Sequence, residues 1–360
     1  MDVQEHIGQL FMLGYMGTSV SADLADLMNE YRPGGLIVFK RNLESIEQIA
    51  ALTNDLQKRS PSPLLLAIDQ EGGRVSRLPA GFTIFPPCAV LGRCGTTELA
   101  YAAASATARE LRAVGLNMNM APVLDLNTNP NNPIIGDRAF SADPTQVCEL
   151  GLAVMAGLHD NQIIACGKHF PGHGDTDIDS HLELPVVRAS AERLRGRELR
   201  PFRHAVVNGL AAVMTAHVLY PSLDADFPAT LSPAILTDLL RDELRFHGVI
   251  LTDDLEMRAI IDHYGIEEAT VLAFKAGADM LLICKERDLE VAAMEGLSRA
   301  VRDGTISTAR IDASLRRIAH LKARFISPYT PVDPMAAKQI VGCRAHRTLL
   351  DTIRRTGVQA

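Results

Sequence analysis

Eight short, almost unbroken apolar runs punctuate the chain, and each is followed by a longer stretch in which apolar residues recur every three or four positions. The runs are LFMLGY (10–15), GGLIVF (34–39), PLLLAI (63–68), LNMNM (116–120), QIIACG (162–167), AAVMTA (211–216), HGVILT (247–252) and DMLLIC (279–284). A strand buried on both faces reads as a continuous apolar run, and such strands occur where crossover helices cover the sheet. Segments such as SADLADLMNEY (21–31), SIEQIAALTNDLQ (45–57) and PTQVCELGLAVMAGLHD (144–160) supply those helices, several of them opening on Ser or Asp-Pro, good N-cap chemistry. Eight strand–helix units predict an α/β fold in which a single domain closes as a TIM (β/α)8 barrel, with an open doubly wound sheet as the alternative.

The barrel is expected to fill residues 1–310, with 311–360 forming a C-terminal helical tail, opened by IDASLRRIAHLKARF, packed on its outside. With 47% hydrophobic and 22% charged residues the chain has ample material for one large core. A formal net charge of −7 argues against nucleic acid or an anionic membrane surface as partner, and no apolar run reaches the roughly 18 residues of a membrane span. Six cysteines without CxxC spacing, several inside apolar runs, read as reduced core residues. An acidic start, MDVQEH, lacks the basic region of a secretory signal, so a cytoplasmic protein is expected.

In a barrel of this kind chemistry belongs where strands end and helices have not begun. The residues there are not random. PLLLAI is followed by Asp69, Glu71, Arg74 and Arg77; LNMNM by a long loop with Asp125 and Arg138; QIIACG by Lys168, His169, His173 and Asp175; AAVMTA by His217; and HGVILT by Asp253 and Asp254. Any one of these charges alone reads as a helix cap or a solvated pair. Their convergence on one rim is what points to a site.

The densest stretch, CGKHFPGHGDTDIDSHLELP (166–185), holds three histidines and four carboxylates. His169, His173, Asp175, Asp179 and His181 are possible metal ligands, but Ser180 and Val186 occupy the positions where a calcium loop needs Gly and Glu. The HxxxH pair is interrupted by Pro171 and Gly172, so it does not share a helix face as in zinc hydrolases. Neither metal nor cofactor is expected. His173 and Asp175, two apart on a glycine-flanked turn, can instead pair a carboxylate with an imidazole for proton transfer, with Asp253 the best-placed nucleophile across the mouth.

The motifs DQEGGRVSRL, NPIIGDRAF, GKHFPGHGDTDIDSHLELP, MTAHVLYPSLDADFPATLSP and LTDDLEM together resemble the successive signatures of family 3 glycoside hydrolases of the bacterial β-N-acetylglucosaminidase type. The resemblance runs from about Ile7 to about Cys284. It implies retaining hydrolysis of terminal β-linked GlcNAc, with Asp253 as nucleophile, His173 as acid/base and Asp175 holding that histidine. It also implies that Asp69, Arg77, Arg138, Lys168 and His169 bind the sugar. A small glycoside such as a peptidoglycan fragment is then the partner, and a monomer is expected. No Trp and 5% aromatic residues suit a pocket for one terminal sugar better than a stacking platform. The glycines of 171–185 suggest that His173 swings in after substrate binds. Phosphorolysis or β-glucoside cleavage at the same site, a metal-dependent hydrolase, and a binding protein on an inactive barrel remain as alternatives.

Overall fold

The computed structural model describes residues 4–180 and 183–359. Eight strands follow the eight apolar runs: β1 (Phe11–Leu13), β2 (Gly35–Val38), β3 (Leu65–Ile68), β4 (Met118–Asn119), β5 (Ile164–Phe170), β6 (Ala212–Thr215), β7 (Val249–Asp254) and β8 (Met280–Ile283). Every neighbouring pair is parallel, and β1 also pairs with β8, so the sheet closes into a barrel and the open-sheet alternative falls away. All of Leu65–Ile68 and nearly all other strand residues are fully buried, inside against one another and outside against helices. Each large aliphatic side chain so buried contributes about 1.5–3 kcal/mol.

The run LNMNM forms the shortest strand, and its two asparagines explain why it holds its place. Asn117 accepts from the Leu66 amide and donates to the Leu64 carbonyl, at 2.8 and 2.9 Å. Asn119 accepts from and donates to the main chain of Gln70, at 3.0 and 2.9 Å. Buried amide side chains thus stand in for ladder hydrogen bonds, and the residues around them can stay in the barrel.

The helices start where cap chemistry puts them. Ser21, Ser45 and Ser190 each accept from an amide in the first turn, and Asp143 does so ahead of Pro144. Each such cap contributes about 1 kcal/mol. The helix that starts at Thr308 runs to Phe325 across the barrel floor, where Lys322 donates to Gln9 at 2.9 Å. Beyond it, the helix Pro334–Ile340 lies on Ile46–Arg59 and Thr97–Ala113, and the helix Arg344–Gln359 lies on Cys88–Cys94. Glu110 ties the tail to the barrel: it accepts from the Gly342 amide and from His346 Nδ1, at 2.9 and 2.7 Å, and from the Thr83 amide at 2.8 Å. No described helix is long and apolar enough to cross a membrane.

Two departures from regular pairing position the site. The β5–β6 register shifts between Gly167 and Phe170, and the β7–β8 register shifts between Leu251 and Asp254. Both lie at the carboxyl ends of strands, where an irregularity re-aims side chains that strict alternation would send to opposite faces. Lys168 and His169 sit in the first, Asp253 in the second.

Candidate active site

Lys168 and His169, though adjacent in sequence, face one cavity of about 360 Å³ at the carboxyl end of the barrel. Asp69, Arg77, Arg138, His173 and Asp253 line it as well, with Ile37, Phe39, Met214, Met257 and Leu282 as apolar wall. Size alone does not mark a site, since a cavity of about 470 Å³ opens at the opposite end of the barrel with no carboxylate among its lining residues.

The polar wall is a fixed network. Lys168, 2% exposed, donates to Asp69 at 2.8 Å and pairs with Glu71 at 2.6 Å. Arg138 makes a two-pronged contact with Glu71, Nε and Nη2 each at 2.8 Å. Burial would raise the Glu71 carboxyl, but Lys168 and Arg138 outweigh it and hold it far below the usual range. Burial likewise disfavours the Lys168 ammonium, and Asp69 and Glu71 more than compensate, so it stays charged. Arg77 reaches Asp69 at 3.5 Å, and among the described residues its Nε has no acceptor. A ligand hydroxyl could fill that valence.

His169 is held by Asp125, which is completely buried. Asp125 accepts from the His169 amide at 3.1 Å and lies 2.7 Å from its Nδ1. On the other side Arg138 approaches His169 Nε2 at 3.3 Å. An arginine only donates, so Nε2 accepts and Nδ1 carries the proton to Asp125. Asp125 also accepts from the His173 amide at 2.7 Å, and though burial would raise its carboxyl, the two histidines hold it down. A lone carboxylate in the apolar run APVLDLN had to be buried and therefore paired. That signal was available in the sequence, as was the placing of Glu71 two residues beyond Asp69, but neither residue received a role there.

At the end of β7 two adjacent aspartates are driven apart. Burial would raise Asp253, but His217, His169, the Asp254 amide and Lys168 together pull it below its ordinary value. For Asp254, burial, with Glu256 and Asp253 adding to it, pushes the carboxyl up to about 7. Asp253 is therefore the ionised member across the neutral range, and an ionised carboxylate is what a nucleophile requires.

The expected His173–Asp175 pair is not formed. Asp175 pairs with Arg193 at 2.9 Å, and Arg193 in turn reaches Glu198 at 3.2 Å, both outside the cavity. The His173 ring lies between Thr176 Oγ1 at 3.0 Å and Ser180 Oγ at 3.2 Å. Its carbonyl accepts from Asn132 at 2.9 Å. Burial, with His169 adding to it, lowers the ring to about 4, so it is neutral at pH 7. The physical reason is reach: the turn directs Asp175 outward to Arg193, while the shorter hydroxyls of Thr176 and Ser180 fold back onto the ring. The glycines also serve packing, since a Cβ on Gly174 would meet the Leu126 carbonyl at 1.5 Å. His181 lies outside the described residues, whereas Asp179 lines the cavity.

Comparison with other proteins agrees with this architecture. The family profile described as Glycosyl hydrolase family 3 N terminal domain matches residues 2–321. A β-hexosaminidase of Thiobacillus denitrificans is 43% identical over 284 residues, covering 77% of this chain and 79% of that protein. β-Hexosaminidase A of Pseudoalteromonas piscicida is 36% identical over 359 residues, 92% of this chain, which spans 60% of that relative's length. The solved structure of a family 3 β-N-acetylglucosaminidase from Paenibacillus sp. str. FPU-7 superposes with a TM-score of 0.93 at 42% identity, covering 99% of this chain and 69% of that one. The closed barrel, the rim of charges at its carboxyl end and a family match over nearly its whole length establish that this chain belongs to glycosyl hydrolase family 3.

Proposed function

We propose that the protein is a retaining exo-β-N-acetylglucosaminidase. One observation carries the reading: the ionised Asp253 lines the same cavity as a network of Asp69, Lys168, Arg138 and His169. In the first step Asp253 forms a bond to the anomeric carbon while the glycosidic bond breaks and the departing oxygen takes a proton from an imidazolium, which is left as a neutral base. In the second, water loses a proton to the same base and attacks that carbon, releasing Asp253 and a β-anomer. A volume near that of one sugar supports exo action on a terminal residue. The buried polar network supports discrimination, because a sugar lacking a matching hydroxyl would leave a buried group unpaired.

The role of proton donor we transfer from His173 to His181. His173 has both ring nitrogens engaged within its own loop, which is an anchoring arrangement. His181 stands two residues after the cavity-lining Asp179, the same interval that separates His173 from Asp175. Soluble GlcNAc-terminated peptidoglycan fragments are the substrate class we favour, handled by a monomer in a reducing cytoplasm. Six free cysteines support that compartment.

The test is turnover of a chromogenic β-GlcNAc glycoside, with the product anomer read by NMR and phosphate both present and absent. The reading predicts free β-GlcNAc, with no GlcNAc 1-phosphate when phosphate is added. Replacing His181 with Ala should slow cleavage of poor leaving groups by about 10²–10⁴-fold. Abolished turnover in His173→Gln with a native melting curve, alongside an active His181→Ala, would return the role to His173.

A further inference from the structure

His217, one residue beyond Ala216 after β6, is 1% exposed and has no part in the steps above. Its Nε2 lies 2.8 Å from the carbonyl oxygen of Asp254, the residue directly after the nucleophile. A carbonyl only accepts, so Nε2 carries a proton. Its Nδ1 lies 2.8 Å from Thr230 Oγ1. That hydroxyl has two further neighbours, the Ala216 carbonyl at 3.0 Å and Thr215 Oγ1 at 2.7 Å. Thr230 has a single proton, and the Ala216 carbonyl can use nothing else from it. With that proton on Ala216, Thr215 donates to Thr230, and Nδ1 must donate as well. All four contacts are then satisfied together only when both ring nitrogens bear hydrogen, which makes the ring cationic.

We propose that His217 is a positioning residue for the nucleophile: it pins the main chain behind Asp253 through Asp254 and fixes a positive imidazole beside the reacting carboxylate. The inference rests on Asp253 being the nucleophile. His217 does most to hold the Asp253 carboxyl below its ordinary value, ahead of His169 and Lys168 on β5. The other titratable groups around the cavity that Asp253 lines are Asp69, Glu71, Arg74, Arg77, Arg138, His173, Asp179 and Cys284, with Asp254 on the strand itself. A cation held next to a carboxylate makes it less basic. That weakens it slightly as an attacking group and improves it as a leaving group when the glycosyl-enzyme breaks down. The second step is therefore the one His217 favours.

Two variants test this. His217→Gln keeps an N–H for the Asp254 carbonyl and removes the charge, while Thr230→Val keeps the imidazole and removes the acceptor that makes its second N–H favourable. In both, the acid limb of kcat/KM should move to higher pH by about one unit or more. Pre-steady-state turnover of an activated β-GlcNAc glycoside should show a burst absent from the wild type, because breakdown of the intermediate has slowed. An unshifted acid limb and no burst in either folded variant would overturn the proposal. Should His217→Gln not fold, Thr230→Val decides by the same two readouts. Labelling of the wild type with a slow fluorinated glycoside keeps the premises apart: a label away from Asp253 defeats the nucleophile assignment, whereas a label on Asp253 with unshifted variants defeats the role of His217 alone.

Discussion

The two ends of the barrel each bury carboxylates among arginines or lysine, yet they are built to opposite purposes. At the floor, Asp279 is completely buried and pairs with Arg241, with Arg317 at 3.0 Å and with Arg310 at 3.6 Å. It also accepts from Ser314 at 2.6 Å and from the Ile250 amide at 3.0 Å. Protein donors surround that carboxylate. At the rim, Glu71 and Asp125 are closed in the same way, but Asp69 and Asp253 keep oxygen surface facing a cavity. A saturated charge cluster holds elements together; one with valences left open is available to a substrate. The contrast matches the general division of such barrels into a stabilising and a catalytic face.

Crossed substitutions should separate the two ends. Asp253→Asn is expected to lower turnover by at least about 10⁴-fold while leaving the melting temperature within about 3 °C of wild type. Asp279→Ala leaves three guanidinium groups without their shared carboxylate, a loss of about 3–5 kcal/mol and a melting temperature lower by roughly 10 °C. At a permissive temperature its KM should be unchanged. A stable but inactive Asp279 variant, or an unstable Asp253 variant, would erase the distinction.

A smaller effect sharpens it within the rim itself. His173 titrates at about 4 in the folded chain against the 6.5 of an ordinary imidazole, so between those values the unfolded chain binds more proton. Its contribution to stability is fully present above pH 6.5 and is lost as the pH falls through 4. The difference amounts to at most about 3 kcal/mol. Chemical denaturation across that window should give a shallower pH dependence for His173→Asn than for the wild type. Equal slopes would mean that the ring is not the neutral anchor described above.

The barrel was legible because fully buried parallel strands must be apolar throughout, and eight such runs leave few ways to close a sheet. The residues that line the cavity were legible for a related reason. Asp69, Lys168, His169 and Asp253 sit at or just beyond the ends of these runs, and strand position alone carries them to the rim. What strand position does not give is side-chain partnership. Asp175 is two residues from His173 in the chain, yet Arg193, eighteen positions on, claims it once the helix beginning at Ala191 docks beneath the loop. Arg138, read as a sugar ligand, spends two donors on Glu71, a pairing across sixty-seven positions. Gly174 looked like a source of mobility and is instead a point of close backbone approach to Leu126. Asn117 and Asn119, just before and at the end of β4, show the same limit from the other side, since they read as part of an apolar strand and act as its hydrogen-bonding partners to β3 and the residue after it.

The proposed function depends on covalent capture of a sugar by the ionised aspartate of a split pair. Incubating the wild-type protein with a 5-fluoro GlcNAc glycoside and mapping the labelled peptide tests it directly. The expected result is a single glycosyl ester on Asp253 that decays on transfer to water. A label on Asp254, or inhibition with no covalent adduct at all, would contradict it.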